Sequence, residues 1–361
     1  SMMNLFFLPV SLFCFILAFL MYLHVFRTWN STEKRPWQRF NEFMCATLAA
    51  VFGIMYPFIL LSLGGNYKGL LFDSLVDELI FMGNVGIIGV MSGVLCWAIS
   101  GKIRTLKNPE LLEKENNYEW WCEQFLEEYP DRGKIKRRIT HILPFAVVGL
   151  SMLLAHFLQN LFQEAWPSYG LMFVIIIGLD FAFTFTIGDL IRLFDFSYMP
   201  PAASRMFAAG LTPDELDSFA STAVMVFGFG PFLFFRFPIL FIPLLITAVA
   251  DAMASIFGIL TEKYGTPHHF PKGSEKTIEG YIGGILFSFL CTVGGALFSN
   301  LLGLSDWAWS HIIFIAVVMG ILFFILDVGT SEVKIQDNYL NPLVSGFILI
   351  IILSFLNYPI F

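Results

Sequence analysis

The sequence predicts an all-α protein, a polytopic bundle of transmembrane helices. Of its 361 residues, 57% are hydrophobic and only 14% are charged, and the mean hydropathy is +0.73, which excludes an ordinary soluble domain. The apolar stretches are long enough to cross a bilayer as helices, whereas an outer-membrane barrel would have short segments of alternating polarity. The formal net charge of −7 gives no support to nucleic-acid binding.

About ten membrane spans are predicted from the apolar stretches, with the N-terminus outside. Each stretch ends where polar residues, glycines or prolines interrupt the apolar run. The predicted spans are residues 5–26, 43–63, 79–100, 141–162, 169–190, 219–235, 237–260, 281–302, 309–328 and 340–359.

The distribution of Lys and Arg predicts which side of the membrane each loop faces. The longest polar segment, 101–140, carries nine of the 21 Lys+Arg residues and is therefore predicted to be cytoplasmic. The same topology places the other basic loops on that side, and the opposite face keeps only Lys68 and Arg236. The cytoplasmic loops are then 27–42, 101–140, 191–218, 261–279 and 329–339.

Segment 101–140 has two features of a membrane-surface element. Its middle, 109–129, places Trp120, Trp121 and Phe125 among many Glu residues, which predicts an amphipathic surface helix. A basic cluster follows just before the next span and is expected to meet anionic lipids. It consists of Arg132, Lys134, Lys136, Arg137 and Arg138.

An acid inside an apolar run marks the predicted active site. Asp251 follows a long apolar stretch, and small residues on neighbouring turns, Ala254 and Gly258, allow close approach by another backbone or a ligand. A simple ion pair within the bundle is one interpretation. The other is a Mg²⁺ ligand that bridges to nucleotide phosphates, because Mg²⁺ prefers carboxylate oxygen and shares its shell with phosphate. The polar loop that follows Asp251 favours the second.

That polar loop contains the side chains expected to bind phosphate. Lysines supply positive charge, hydroxyls supply donors, and Thr277 or Ser274 is placed to cap a helix that opens near Gly280. The residues are Lys272, Ser274, Lys276, Thr277 and Gly280, with Glu279 beside them. Lysines at a cytoplasmic boundary are also ordinary topology signals, and the chain has no P-loop or Rossmann fingerprint.

Two further polar groups lie on the predicted cytoplasmic side. Asp189 and Arg192 end the fifth predicted span at a spacing that also suits a plain ion pair. Asp337 and Asn338 stand in the last polar loop, where a solvated loop would look similar.

Together these residues resemble the integral-membrane CTP-dependent lipid kinases, which include dolichol, phytol and yeast-type diacylglycerol kinases and are related to CDP-diacylglycerol synthases. The resemblance covers about residue 180 to the C-terminus. Its parts are Asp189-Leu190-Ile191-Arg192-Leu193, Asp251-Ala252-x-Ala254-Ser255-x-x-Gly258, Lys276-Thr277-Ile278-Glu279-Gly280 and Asp337-Asn338-x-x-Asn341-Pro342-Leu343. The first differs from the family pattern by having Asp189 where Glu is usual.

The last motif separates the kinases from the synthases within this resemblance. Synthases share the Asp, the glycines and the Lys-Thr-x-Glu-Gly, but add a Lys-Asp and Pro-Gly-His-Gly-Gly signature that does not follow Gly284 here. The resemblance therefore implies transfer of the γ-phosphoryl group of CTP to a polyprenol-, dolichol- or phytol-type alcohol at the cytoplasmic face. The alternatives are a phosphatidate cytidylyltransferase or a diacylglycerol kinase.

The resemblance also implies residue roles. Asp251 and Glu279 are expected to hold Mg²⁺; Asp251, Lys276, Glu279 and Asp189 are the expected catalytic residues, with Asp189 and Asp251 both candidates for the general base. The expected nucleotide-binding residues are Lys272, Ser274, Lys276, Thr277, Gly280, Arg192, Asp337 and Asn338.

Three segments are predicted on this basis: N-terminal spans 1–100 outside the resemblance, a cytoplasmic basic and amphipathic loop 101–140, and a kinase-like membrane domain 141–361. A transporter is a further alternative, since Asp180 and Asp251 would also suit a path through the membrane. Transport, unlike phosphoryl transfer, would survive loss of Lys276.

Overall fold

The computed structural model describes residues 7–32, 34–64, 75–128, 134–271 and 276–361, and over these the chain is helical without a β-strand. The α-helices, in chain order, are α1 Leu8–Arg27, α2 Pro36–Ser62, α3 Leu75–Lys107, α4 Tyr118–Glu128, α5 Lys134–Phe157, α6 Gln159–Phe162, α7 Trp166–Phe194, α8 Pro201–Gly210, α9 Ser221–Phe229, α10 Phe237–Leu245, α11 Asp251–Tyr264, α12 Ile278–Leu301, α13 Trp309–Val333 and α14 Asp337–Phe355. A π-helical segment, Ile246–Ala250, joins α10 to α11.

The predicted helical membrane bundle is confirmed. Within the described residues, eight helices are long and apolar enough to span a membrane, against about ten predicted spans. The remaining two predicted spans appear as shorter apolar helices, Ile142–Phe157 and Ala223–Phe234. Helix α2 also begins before its predicted span, because Pro36 suits the first helical position and Gln38 accepts a hydrogen bond from the Arg35 backbone N–H at 2.9 Å.

Two compact units make up the chain. The first contains residues 1–140 and 150–227, and the second contains residues 141–149 and 228–361. Each is described by itself below.

The first unit packs α1 against α2 and α3 against α7. A side chain at Gly53 would come within 2.9 Å of Cys14 Cβ, so only glycine lets α1 and α2 approach this closely. Two buried polar side chains share the Lys34 ammonium elsewhere along the same helices: Glu42 Oε1 accepts from Lys34 Nζ at 2.5 Å, and His24 Nε2 lies 3.1 Å from the same nitrogen. The unit therefore holds a paired charge inside its apolar packing.

Helix α4 lies within the predicted amphipathic helix and buries part of its apolar face in protein, while its place at a membrane surface stays a prediction. Trp120 and Leu126 are 39% and 48% exposed, whereas Trp121 is 7% and Phe125 6% exposed. Trp121 and Phe125 pack in a core of the first unit together with Phe185, Phe196, Met199, Ala203, Phe207, Leu211, Leu216, Ala220 and Ala223. Amphipathic periodicity reveals that one face is buried, but it does not distinguish a lipid surface from a protein core. The binding of anionic lipids by the basic cluster stays a prediction.

The second unit is built around α12, which packs against α10, α11, α13 and the π-helical segment. The contact between α11 and α12 uses small residues: a Cβ at Gly280 would lie 3.0 Å from the Ala254 carbonyl oxygen, and one at Gly283 would lie 2.7 Å from the Phe257 ring. Removing side chains at a helix crossing lets the backbones approach closely, as is common in membranes. This close contact brings the start of α12 beside the body of α11.

Candidate functional site

Asp251 is the first residue of α11 and directly follows the π-helical segment. A π-helical turn widens the backbone and is frequent at functional sites. The predicted span 237–260 ends four residues too early, because α11 continues to Tyr264. Two turns after Asp251 comes Gly258, where an added Cβ would lie 3.3 Å from the Thr277 hydroxyl. Helix α11 thus extends past the start of α12.

The loop between α11 and α12 folds back on itself. The Phe270 N–H donates to the Lys276 carbonyl at 3.1 Å, and the Ile278 N–H donates to the His268 carbonyl at 2.9 Å. The Thr277 hydroxyl accepts from the Gly280 N–H at 3.1 Å, so the predicted capping of α12 by Thr277 is confirmed. Lys272 and Ser274, both predicted to bind phosphate, lie outside the described residues.

Lys276 and the three acids whose charges act on it, from α11, α13 and α14, are termed the Lys276 group: Asp251, Asp327 and Asp337. The Lys276 ammonium donates to the carboxylate of Asp327 on α13, while 35% of the lysine side chain stays exposed. Burial lowers the pKa of Lys276, yet the net pKa is raised above its ordinary value. The charges responsible are first Asp327, then Asp251 and Asp337. One lysine thus contacts one carboxylate and is acted on by the charges of two others, and this excess of negative charge would favour a divalent cation.

The interpretation of the sequence missed Asp327. This acid lies within α13, an otherwise apolar membrane helix, and it is 3% exposed. The rule that singled out Asp251, an ionisable residue inside an apolar span, applies equally to Asp327 and would have found it. Its partner Lys276 is 51 residues away in sequence, so no local motif connects the two.

We expect Asp327→Asn to move the alkaline limit of activity to lower pH and to reduce kcat/KM about tenfold to a hundredfold. Asp327 favours the charged form of Lys276, so the ammonium persists below the raised pKa and is lost only as pH rises through it. Without the Asp327 charge, burial lowers that pKa. The pH profile of kcat/KM measures the shift, and an unchanged alkaline limb would contradict the assignment.

Glu279 faces the loop. Its Oε1 lies 2.6 Å from His268 Nδ1, and its Oε2 accepts from the His268 backbone N–H at 3.4 Å. These contacts hold the loop onto the start of α12. Its service as a Mg²⁺ ligand stays a prediction.

The start of α14 brings the last motif to the same group. Asp337 is the first residue of α14, and its negative charge helps to raise the pKa of Lys276. Asn338 follows it with only 2% of its surface exposed. Asp251, Lys276, Thr277 and Asp337 therefore gather at one end of the helices of the second unit.

Asp189 and Arg192 belong to the first unit, where both are buried and paired. Arg192 Nη2 donates to Asp189 Oδ1 at 2.9 Å, and the guanidinium also donates to the carbonyls of Glu215, Leu216 and Ser218. The second oxygen of Asp189 accepts from the Ala220 N–H at 2.7 Å. These bonds hold segment 215–220 against α7. The expected service of Asp189 as a base and of Arg192 as a phosphate contact stays a prediction.

The donor types near Lys276 suit magnesium. Hard divalent cations take carboxylate oxygen, and Mg²⁺ is usually bound by one or two carboxylates together with substrate phosphates and water. No group of three or more His, Cys, Asp or Glu side chains that could hold a metal occurs within the described part of the chain. Asp251 is the carboxylate that we expect to serve, since it follows the π-helical segment and its charge acts on Lys276, whereas Asp327 is already paired with that lysine.

One of the comparisons with known proteins gives a match. The model of the cytidylyltransferase family matches residues 124–336, more than half of the chain. No curated protein and no solved structure matches the chain. The match begins within α4 and ends one residue before Asp337, so it includes both Asp251 and Lys276. The chain therefore belongs to the cytidylyltransferase family, whose members use CTP as substrate.

Proposed function

We propose that the protein transfers the γ-phosphoryl group of CTP to the hydroxyl group of a membrane lipid alcohol, at the cytoplasmic face. The observation that carries the proposal is the Asp337-Asn338 start of α14, whose acid acts on the charge of Lys276. In the resemblance, this motif belongs to the kinases, whereas the synthases have a different signature. Membership in a CTP-using family supports the choice of nucleotide. Polyprenol, dolichol and phytol are the alcohols that the resemblance favours.

The proposed reaction needs positioning and charge neutralisation more than covalent chemistry. The alcohol oxygen forms a bond to the γ-phosphorus, the bond between that phosphorus and the β-bridging oxygen breaks, and CDP leaves. The alcohol proton passes to a carboxylate, for which Asp251 is the candidate within the second unit. Mg²⁺, when bound, would neutralise phosphate charge.

Individual residues would contribute in different ways. Lys276 provides a positive charge that stays exposed enough to reach a phosphate. The N-terminus of α12, capped by Thr277, adds backbone N–H groups that attract anions. Asp251 lies about 10 Å deeper along α11 than Gly258, beside the close helix contact. This layout suits a phosphate at the boundary and a lipid tail between helices.

The second candidate is a phosphatidate cytidylyltransferase, and the family match favours it. In that reaction a phosphatidate oxygen attacks the α-phosphorus of CTP and pyrophosphate leaves. The two reactions therefore deliver different phosphorus atoms of CTP to the lipid, and labelling distinguishes them directly.

The test is a radiolabel assay on the purified protein in detergent with Mg²⁺. CTP labelled at the α- or the γ-position is supplied in parallel reactions with polyprenol, phytol, diacylglycerol or phosphatidic acid. We expect γ-label in an isoprenoid alcohol and no α-label in any lipid. Transfer of α-label to phosphatidic acid would establish the cytidylyltransferase instead, and γ-label in diacylglycerol alone would make the protein a diacylglycerol kinase.

A further inference from the structure

Two amide atoms at the start of α14 are buried and lack a hydrogen-bond partner within the described residues. They are Nδ2 of Asn338 and Oδ1 of Asn341, and each residue is 2% exposed. Buried polar atoms in folded proteins nearly always have a partner, and one left unpaired is costly. In the lipid-exposed part of a membrane there is also no bulk water to supply one. A ligand group that pairs with both atoms would remove this cost.

The two amides occupy one side of the helix. Residues three apart in an α-helix are neighbours on its surface, with Cβ atoms about 5–6 Å apart. One ligand atom can therefore accept from one amide and donate to the other, since each hydrogen bond spans roughly 2.8 Å. Asn338 Nδ2 is a hydrogen-bond donor and Asn341 Oδ1 is an acceptor, so the pair is complementary to a group that both accepts and donates hydrogen bonds.

The position of the pair relative to the Lys276 group is also informative. Helix α14 is a candidate membrane span that begins at Asp337, and Asn341 follows four residues, about 6 Å, along the axis. Asp337 acts on the charge of Lys276, so the amides lie on the membrane-interior side of the candidate phosphate site. A lipid held in the bilayer would bring its polar head to this place first.

A hydroxyl group fits the pair of amides. It donates one hydrogen bond and accepts others, whereas an ionised phosphate ester is chiefly an acceptor and would face Asn341 Oδ1 with a second oxygen lone pair. We propose that Asn338 and Asn341 bind the hydroxyl of the lipid substrate, with Asn338 Nδ2 donating a hydrogen bond to its oxygen and Asn341 Oδ1 accepting a hydrogen bond from its O–H. This inference rests on the proposed function, and it makes the two asparagines the residues that select an alcohol over a phosphatidate.

The pair orients the alcohol and takes no part in proton removal, because an amide oxygen is not basic enough to keep the proton. The Asn341 hydrogen bond leaves a lone pair of the hydroxyl oxygen free for the γ-phosphorus. As the new oxygen–phosphorus bond forms, the O–H turns from Asn341 Oδ1 to a carboxylate of the Lys276 group, which takes the proton.

The test uses the size-matched variants Asn338→Leu and Asn341→Leu in the full-length protein, assayed with γ-labelled CTP and phytol. Each should raise the KM for phytol about tenfold, the effect of one lost hydrogen bond, and leave the KM for CTP within twofold. If Asn338 instead binds the nucleotide, as the resemblance implies, its variant should raise the KM for CTP. The melting temperature of each variant is measured beside the KM, because Asn338 Nδ2 and Asn341 Oδ1 have no protein partner to lose but the second atom of each amide is removed as well.

Asn300→Leu is the matched control. Asn300 lies near the end of α12 and is fully engaged: its Nδ2 donates to the Trp307 carbonyl at 3.0 Å, and its Oδ1 accepts from Ser305 at 2.7 Å and from the Trp307 N–H at 3.1 Å. This variant should lower the melting temperature and leave the KM for phytol unchanged. An unchanged KM for phytol in both α14 variants, or an equal rise in the KM for CTP, would overturn the inference.

A binding measurement without nucleotide separates this inference from the proposed function. Phytol should raise the melting temperature of the wild-type protein, phytyl methyl ether should do so less, and the two α14 variants should not distinguish the two lipids. If γ-label enters no alcohol, the proposed function fails, while a hydroxyl-dependent stabilisation that needs both asparagines still supports the alcohol site. Equal stabilisation of the wild type by phytol and its ether overturns the site, whatever the labelling shows.

Discussion

Asp251→Asn should reduce phosphoryl transfer from CTP by about a thousandfold while the protein stays folded. The substitution keeps the size of the side chain but removes the negative charge that would hold Mg²⁺ or receive the alcohol proton. Asp251 also helps to raise the pKa of Lys276, so the lysine loses part of its electrostatic support. The initial rate of γ-label transfer to phytol, measured over a range of Mg²⁺ concentrations, gives the size of the effect.

A matched substitution distinguishes loss of chemistry from loss of structure. Asp306 is an exposed acid in the connection between α12 and α13 of the same unit, and it is separate from the Lys276 group. Asp306→Asn should therefore keep full activity and the wild-type melting temperature. Activity of Asp251→Asn within tenfold of the wild type would show that Asp251 serves only the helix packing.

The membrane fold was predictable because its signal is local. A run of apolar residues long enough to cross a bilayer leaves few options other than a helix, since every backbone polar group must be paired there. The predicted ends of the helices were less accurate where charged residues follow the apolar run. Helix α3 continues to Lys107 through part of the predicted loop, because Lys and Arg are good helix formers and can end a membrane helix in water.

The candidate site was predictable only in part. Asp251, Lys276, Thr277 and Asp337 each lie in a motif that can be quoted from the sequence, and the structure gathers them in one unit. Asp327 has no motif, and its importance depends on a contact between distant segments. The π-helical segment before Asp251 also has no clear sequence signal, since it differs from an α-helix only in which backbone groups are paired.

Arg192 illustrates the opposite situation, in which a motif is clear but the contacts indicate another function. A phosphate contact needs a cation that a ligand can reach, yet the Arg192 side chain is fully buried and its terminal nitrogens donate within the first unit. An i, i+3 pair with Asp189 was the plain alternative, and the two residues do form it. The further bonds to the carbonyls of segment 215–220 could not be foreseen, because that segment has no regular pattern.

Arg192→Lys should destabilise the protein by about 3–5 kcal/mol, the cost of breaking a buried charge pair that has several hydrogen bonds. Lysine keeps the positive charge, but its single ammonium cannot reproduce the planar fork that serves Asp189 and three backbone carbonyls at once. The melting temperature in detergent should fall, and the protein that remains folded should keep the wild-type KM for CTP.

Arg236→Lys is the control for this substitution, because Arg236 is exposed and its side chain makes one hydrogen bond, to the Phe361 carbonyl, within the described residues. It should change neither stability nor activity.

The two functions considered for Arg192 predict opposite results for its lysine variant. A structural brace predicts lost stability with an unchanged KM for CTP, since the nucleotide never contacts the guanidinium. A phosphate contact predicts a stable protein whose KM for CTP rises about tenfold, because lysine keeps the charge but loses the bidentate geometry. That second result would place Arg192 in the nucleotide site despite its buried bonds.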